Sequence, residues 1–329
     1  MMPKYETGSI SLSQMLDALG NDRNGDFSSP DFQRAYVGNP IQVVELLDTV
    51  FHGWPLGAFL FARMPNSGTV SCSRPLYRKI RSSLAERNGK LRLDIQEIEY
   101  TSQPVEPGIG HTLILDGRQR LQSLLLALSK TYQGLELREC DWLRLYRREA
   151  GYPTEYLNSF CPPARIYVNI TNLESAFEHE GDMGSLNYAS PGQNNEKSIF
   201  EWCLENEAPH ENWSSCVPRN INEVKNDHIL LADVWEFTRA YIDEYDSGND
   251  IEPKPFREVN VKKLCSIKEV EYKPALYEFC KHIATLHSLP IPYTKISLPM
   301  PEEQAHEKDI DCYNKTVFEI FRRLHSDLA

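Results

Sequence analysis

The segment that most constrains the fold is Thr112-Leu-Ile-Leu-Asp116-Gly117-Arg118-Gln119-Arg120-Leu-Gln-Ser-Leu-Leu-Leu-Ala-Leu128. Thr112 to Leu115 is a short apolar run, the pattern of a strand buried on both faces. After Gly117 the period changes, and Leu121, Leu124, Leu125 and Leu128 recur at the spacing of an amphipathic helix running to about Lys130. A buried strand that turns through one glycine into a helix places the chain in the α/β (α+β) class.

The same corner carries the first candidate chemistry. A helix start leaves backbone N–H groups without intrahelical acceptors and with a partial positive charge. Arg118 and Arg120 in that first turn oppose the helix dipole, and a bound anion would resolve the conflict. A phosphate cradle is one reading. Asp116 as a cap, with both arginines solvated or salt-bridged, is the other.

Other elements follow from caps and periods. Ser9 or Ser11 starts a helix through Leu12, Met15, Leu16 and Leu19, closed by Gly20. Asn39 and Pro40 open a second, with Ile41, Val44, Leu47 and Phe51 as its stripe and Gly53 as its stop. Ala58–Ala62 and Lys90–Tyr100 read as strands. Further on, Ser198–Glu207, Asp227–Tyr245, Lys273–Ser288 and Asp309–Leu324 read as helices, with strands at Arg165–Ile170 and Ile291–Ser297. Linkers are expected at Gly151–Pro163 and Gly181–Asn195, which gives an α/β domain over 1–150 and a mainly helical module over 151–329.

At 329 residues the chain can bury a sizeable core, and its formal net charge of −12 excludes a general electrostatic DNA coat. Charge is unevenly placed. Arg63, Arg74, Arg78, Lys79, Arg81, Arg87, Lys90 and Arg92 face only Glu86 among acids from 63 to 93. That stretch suits either a local DNA-backbone contact, a solvated face or a dock for the acidic region from Glu201 to Asp250. No apolar run approaches the roughly 18 residues of a membrane helix, so a cytoplasmic protein is expected. Cys72, Cys140, Cys161, Cys203, Cys216, Cys265, Cys280 and Cys312 lack C-x-x-C spacing, and the nine histidines offer no H-E-x-x-H. Reduced core thiols and no metal site are expected. Trp202, Trp213 and Trp235 fall in or near helical patterns and read as core.

A second polar segment is Ser29-Pro-Asp-Phe-Gln33-Arg34-Ala-Tyr36-Val37. Gln can orient a water, Arg can fork onto phosphate and Tyr can stack on a base, but an edge strand would produce the same letters.

In this order, PDFQRAYVGN, IQVVELLDTVFHGWPLGAFLF and LILDGRQRLQSLLLAL resemble the N-terminal domain of the GmrSD family of modification-dependent restriction systems. That family has a Pro-x-Phe/Tyr-Gln-Arg-x-Tyr turn, a helix leading into a short strand, and a strand ending in Asp-Gly-Gln-Gln-Arg-Leu. IPYTKI near 291 and VFEIFRRLHS near 317 resemble its later strand and helix. Arg118 stands where the family has its first Gln, Gly38 where it has Trp and His325 where it has Asn.

The resemblance implies a ParB/sulfiredoxin-like mixed-sheet core followed by helices, and a role in phage defence. It implies binding, and possible hydrolysis, of a nucleoside triphosphate (GTP, ATP or CTP) with Mg²⁺, and sensing of modified DNA. Carried over by position, Gln33, Asp116, Gln119 and Arg120 are the catalytic candidates, and Arg34, Tyr36 and Gly117 the nucleotide-binding ones; Arg118, which departs from the motif, joins the latter from the phosphate-cradle reading. Cleavage would fall to an H-N-H-type nuclease partner or a further domain; His287-Ser-Leu-Pro290 only imitates the start of one. A homodimer stays open. So do a metal-dependent nuclease of ParB-like fold and a non-catalytic adaptor that recruits a nuclease.

Overall fold

The computed structural model describes residues 4–20, 27–30, 40–63, 73–75, 80–87, 90–97, 112–128, 164–188, 198–204, 219–220, 226–246 and 257–297, with single helical positions at 315, 319, 320 and 322. Helices and mixed sheets alternate, so the fold is α/β.

The main sheet has six strands. In spatial order they are β1 (Lys4–Ser11), β12 (Pro290–Ser297), β3 (Phe59–Arg63), β7 (Thr112–Asp116), β2 (Phe27–Pro30) and β4 (Ser73–Pro75). β12 comes from the far end of the sequence and lies between β1 and β3, antiparallel to the first and parallel to the second. The sheet therefore crosses the expected division at residue 150. A four-stranded sheet orders β10 (Arg219–Asn220), β9 (Phe200–Leu204), β8 (Ala164–Asn169) and β11 (His228–Leu230). In the basic stretch, β5 (Ile80–Arg87) and β6 (Lys90–Glu97) pair as an antiparallel hairpin.

The helices are α1 (Leu12–Gly20), α2 (Pro40–Phe51), α3 (Arg118–Leu128), α4 (Ile170–Glu180), α5 (Leu231–Asp246), α6 (Glu258–Lys268) and α7 (Pro274–Leu286). α1 opens with a capping box: the Gln14 N–H donates to Ser11 Oγ at 3.2 Å, and the Ser11 N–H to Gln14 Oε1 at 3.3 Å. Its first turn is held to the turn before β12 by the Leu12 N–H donating to the Leu289 carbonyl at 2.9 Å.

Beyond Gln119 and Arg120 in its first turn, α3 is buried on every side, not on a stripe. Besides the four expected leucines, Gln122, Ser123, Leu126 and Ala127 are all covered. It runs through the middle of the protein, against α1, α2 and α5. One hydrophobic core joins residues from both halves of the sequence. At its centre the Phe51 ring lies 5.0 Å from the rings of Tyr188 and Phe200 and 5.4 Å from that of Phe279.

Three expectations need correction. Ser198–Glu207 is no helix over its described part, 198–204: Phe200–Leu204 is strand β9, paired on both sides. Ile, Phe, Trp and Cys in so short a run suit a buried strand as well as a helical face, and periodicity alone does not separate the two. The helix expected from Asp227 begins at Leu231, after strand β11. Gly181–Asn195 is not a linker over its described part, 181–188. A short 3₁₀ turn at Met183–Ser185 leads into Leu186 and Tyr188, both fully buried. Gly151–Pro163, Trp213 and most of Asp309–Leu324 lie outside the described residues.

Candidate nucleotide-binding corner

The site is built where β7 ends. β3 and β7 pair antiparallel with a register shift between Leu60 and Phe61, so that Asp116 faces Leu60 while Ile114 faces Phe61. Leu115 is the extra residue of a bulge, a device that re-aims a strand end. Gly117 then turns the chain with φ of +93°, and a Cβ there would overlap the Phe59 ring. Only glycine meets both demands, because L side chains avoid this φ and no space exists for one. The Leu121 N–H donates to the Gly117 carbonyl at 3.0 Å, which begins α3.

Arg120 points back to a second loop. Its guanidinium donates to the carbonyls of Leu56 and of Ala58, the latter at 3.1 Å, and to Asp116 Oδ2 at 3.4 Å. It also stacks over the Phe59 ring with Cζ 4.5 Å from the centroid. Burial lowers the Arg120 pKa, and the Asp116 charge partly offsets this. The planar fork thus ties the start of α3 to the loop between α2 and β3, a task a lysine could not reproduce. Gly57, between the two carbonyls, has φ of +75°.

Among the expected site residues, Asp116, Gly117, Arg118, Gln119 and Arg120 stand together on this corner. The Asp116 side chain is half exposed and Gln119 half-buried, whereas Arg118 is only 7% exposed. Gln33, Arg34 and Tyr36 lie outside the described residues.

Sequence reading passed over the neighbouring Trp54. It is 56% exposed and stacks on His52, with ring centroids 4.4 Å apart and planes at 29°. His52 is fixed in turn by Nδ1–H donating to the Asp48 carbonyl at 2.7 Å. The signal was available in His-Gly-Trp-Pro, a large aromatic set between a helix stop and a proline.

A family model described as GmrSD restriction endonuclease, N-terminal domain, matches residues 15–327. The chain belongs to that family. A comparison with curated proteins finds no match. The GmrSD match covers the Gly117 corner, so the bulge, the two glycines and the Arg120 clamp of this chain lie inside the matched region.

Two other polar groupings lie in this GmrSD domain. Glu201 accepts from Asn169 Nδ2 at 2.8 Å and lies 3.3 Å from both Asn172 Nδ2 and His228 Nε2. Asn169 also caps α4, so this cluster knits β8, β9 and β11 to a helix start. His287 is buried against Trp235, 3.0 Å from Thr238 Oγ1 and 3.3 Å from Ser13 Oγ. It is a core residue binding three elements. Among the described residues no group of three or more His, Cys, Asp or Glu could hold a metal, and no helix is long and apolar enough to cross a membrane.

Proposed function

We propose that the Gly117 corner binds the phosphates of a nucleoside triphosphate and that the chain is the sensor part of a restriction system acting on modified DNA. One observation carries the reading: a strand turns through a single glycine into a buried helix whose first turn bears Gln119 and Arg120 beside the half-exposed Asp116. Helix starts of this kind suit anions, through outward N–H groups and the aligned peptide dipoles. The dipole contributes about 0.3–1 kcal/mol, so side chains must supply most of the affinity.

In this reading Gln119 meets the phosphates directly, Arg118 adds its charge from beneath the surface, and Arg120 holds the corner in shape. Mg²⁺ arriving with the nucleotide would neutralise phosphate charge, and the Asp116 carboxylate fits a water-mediated contact to it. Gln33, Arg34 and Tyr36 would complete the site from the preceding motif. Restriction-type membership supports modified DNA as the effector and a nuclease domain or partner as the cutting part.

The test is thermal shift with ATP, GTP, CTP and UTP plus Mg²⁺, on wild type and Gln119→Glu. An acid in the first turn favours the helix but repels phosphate. The variant should therefore keep its unliganded Tm and lose a nucleotide-specific rise seen in wild type. A rise of equal size in both proteins, or none in either, overturns the assignment.

A further inference from the structure

We infer that Trp54 is the platform on which the base of that nucleotide stacks; the inference rests on the phosphate reading of the Gly117 corner.

Four observations lead to it. Trp54 is a large aromatic ring left 56% exposed. One face is already covered by His52, with centroids 4.4 Å apart and planes at 29°, so the ring already takes part in a stack. The backbone beneath it is fixed: the Trp54 N–H donates to the Thr49 carbonyl at 3.1 Å and the Gly53 N–H to that of Val50 at 2.9 Å, while the stacking partner His52 is held to the Asp48 carbonyl. Finally, the loop that carries it is the loop Arg120 grips, through the Leu56 and Ala58 carbonyls.

Distance makes the last point useful. Two residues of chain span at most about 7 Å, so Trp54 lies within one short tether of the carbonyl that Arg120 holds. A base and its phosphates are joined by a single ribose, and a ligand with phosphates at the start of α3 has its base within reach of that loop. An ordered aromatic slab gives up little conformational entropy on stacking. Every base has a π-face, so Trp54 supplies affinity while leaving discrimination among bases to hydrogen-bonding groups.

Titration calorimetry on the full chain separates the two layers, using the nucleotide selected by the thermal-shift panel and inorganic tripolyphosphate, each with Mg²⁺. Trp54→Ala is expected to weaken the nucleotide by about tenfold or more and to leave tripolyphosphate unchanged. Trp54→Phe should keep most of the nucleotide affinity, and nucleotide-induced quenching of exposed tryptophan fluorescence should disappear in both variants. If Trp54→Ala binds nucleotide as wild type does, while tripolyphosphate also binds, the platform is refuted and the phosphate site stands. If both ligands weaken equally, Trp54 shapes the corner rather than receiving a base, which also refutes the platform. If wild type binds neither, the phosphate reading itself has failed.

Discussion

A Cβ placed on Gly57 would lie 2.7 Å from Nη1 of Arg120. The absence of a side chain at Gly57 is what lets the guanidinium reach the Leu56 and Ala58 carbonyls on either side of it. Gly57→Ala meets two costs, the backbone strain of a non-glycine at φ of +75° and displacement of the Arg120 fork. Strain of this kind is worth about 1–3 kcal/mol. A double-mutant cycle with Arg120→Ala checks the assignment, since the clash term exists only while Arg120 is present. Gly57→Ala should cost measurably less in the Arg120→Ala background; strictly additive losses in urea titrations would separate the two residues.

Gly117→Ala should be the most damaging single methyl addition at the corner. At Gly57 the obstacle is the end of a flexible side chain, which can move, whereas at Gly117 it is the Phe59 ring, itself buried in the core. Overpacking and left-handed strain together are expected to cost about 2–6 kcal/mol. Chemical denaturation of the two variants side by side measures the order. A Gly117→Ala protein as stable as wild type would mean that the turn does not have this geometry.

The strand-to-helix corner was legible because each local signal agreed: an apolar run, a glycine that must turn, and a leucine stripe. The sequence read as α3 begins and ends where the structure puts it, within two residues. What it could not reveal is that α3 beyond its first turn is buried all round, because the elements covering its far face come from distant parts of the chain. Position β12 illustrates the same limit. Its letters read as a strand, but its place between β1 and β3 is a nonlocal fact. Ser198–Glu207 failed for a local reason, since a short run of aromatic and aliphatic residues carries no decisive period. The β5–β6 hairpin had a usable sign in Asn88-Gly89, a pair that two-residue hairpins favour. The clamp made by Arg120 was not legible, because its main acceptors, the Leu56 and Ala58 carbonyls, are backbone groups with no sequence signature.

Tyr188 connects the segment after α4 to the centre of the molecule. Its ring packs on Phe51 and Phe200, while its hydroxyl donates to the Met183 carbonyl at 2.8 Å. Burial raises its pKa well above the ordinary tyrosine value, with Asp48 and Asp182 adding to the rise, so it is neutral at all working pH values. Tyr188→Phe should cost about 1 kcal/mol, one hydrogen bond with the ring retained. Tyr188→Ala should cost about 3–5 kcal/mol, as for other large core aromatics. Equal losses for the two variants would show that the hydroxyl, not the ring, is what holds this segment.

Alkaline stability offers a test of the α6–α7 core. Burial pushes the Cys265 thiol up from 9.0 to about 11, and raises that of Cys280 as well. Below about pH 9 the thiol is protonated in both folded and unfolded chains and adds no pH dependence. Between 9 and 11 the unfolded chain loses its proton first and so binds fewer protons than the folded one. Stability therefore falls as pH rises through this window. Cys265→Ala removes that proton difference, so its Tm should decline less steeply from pH 9 to 11, whatever offset the smaller side chain introduces at pH 7. Cys265→Ala combined with Cys280→Ala should flatten the slope further. An identical alkaline slope in wild type and the double variant would assign the loss of stability to tyrosines and lysines elsewhere and would remove these thiols from the explanation.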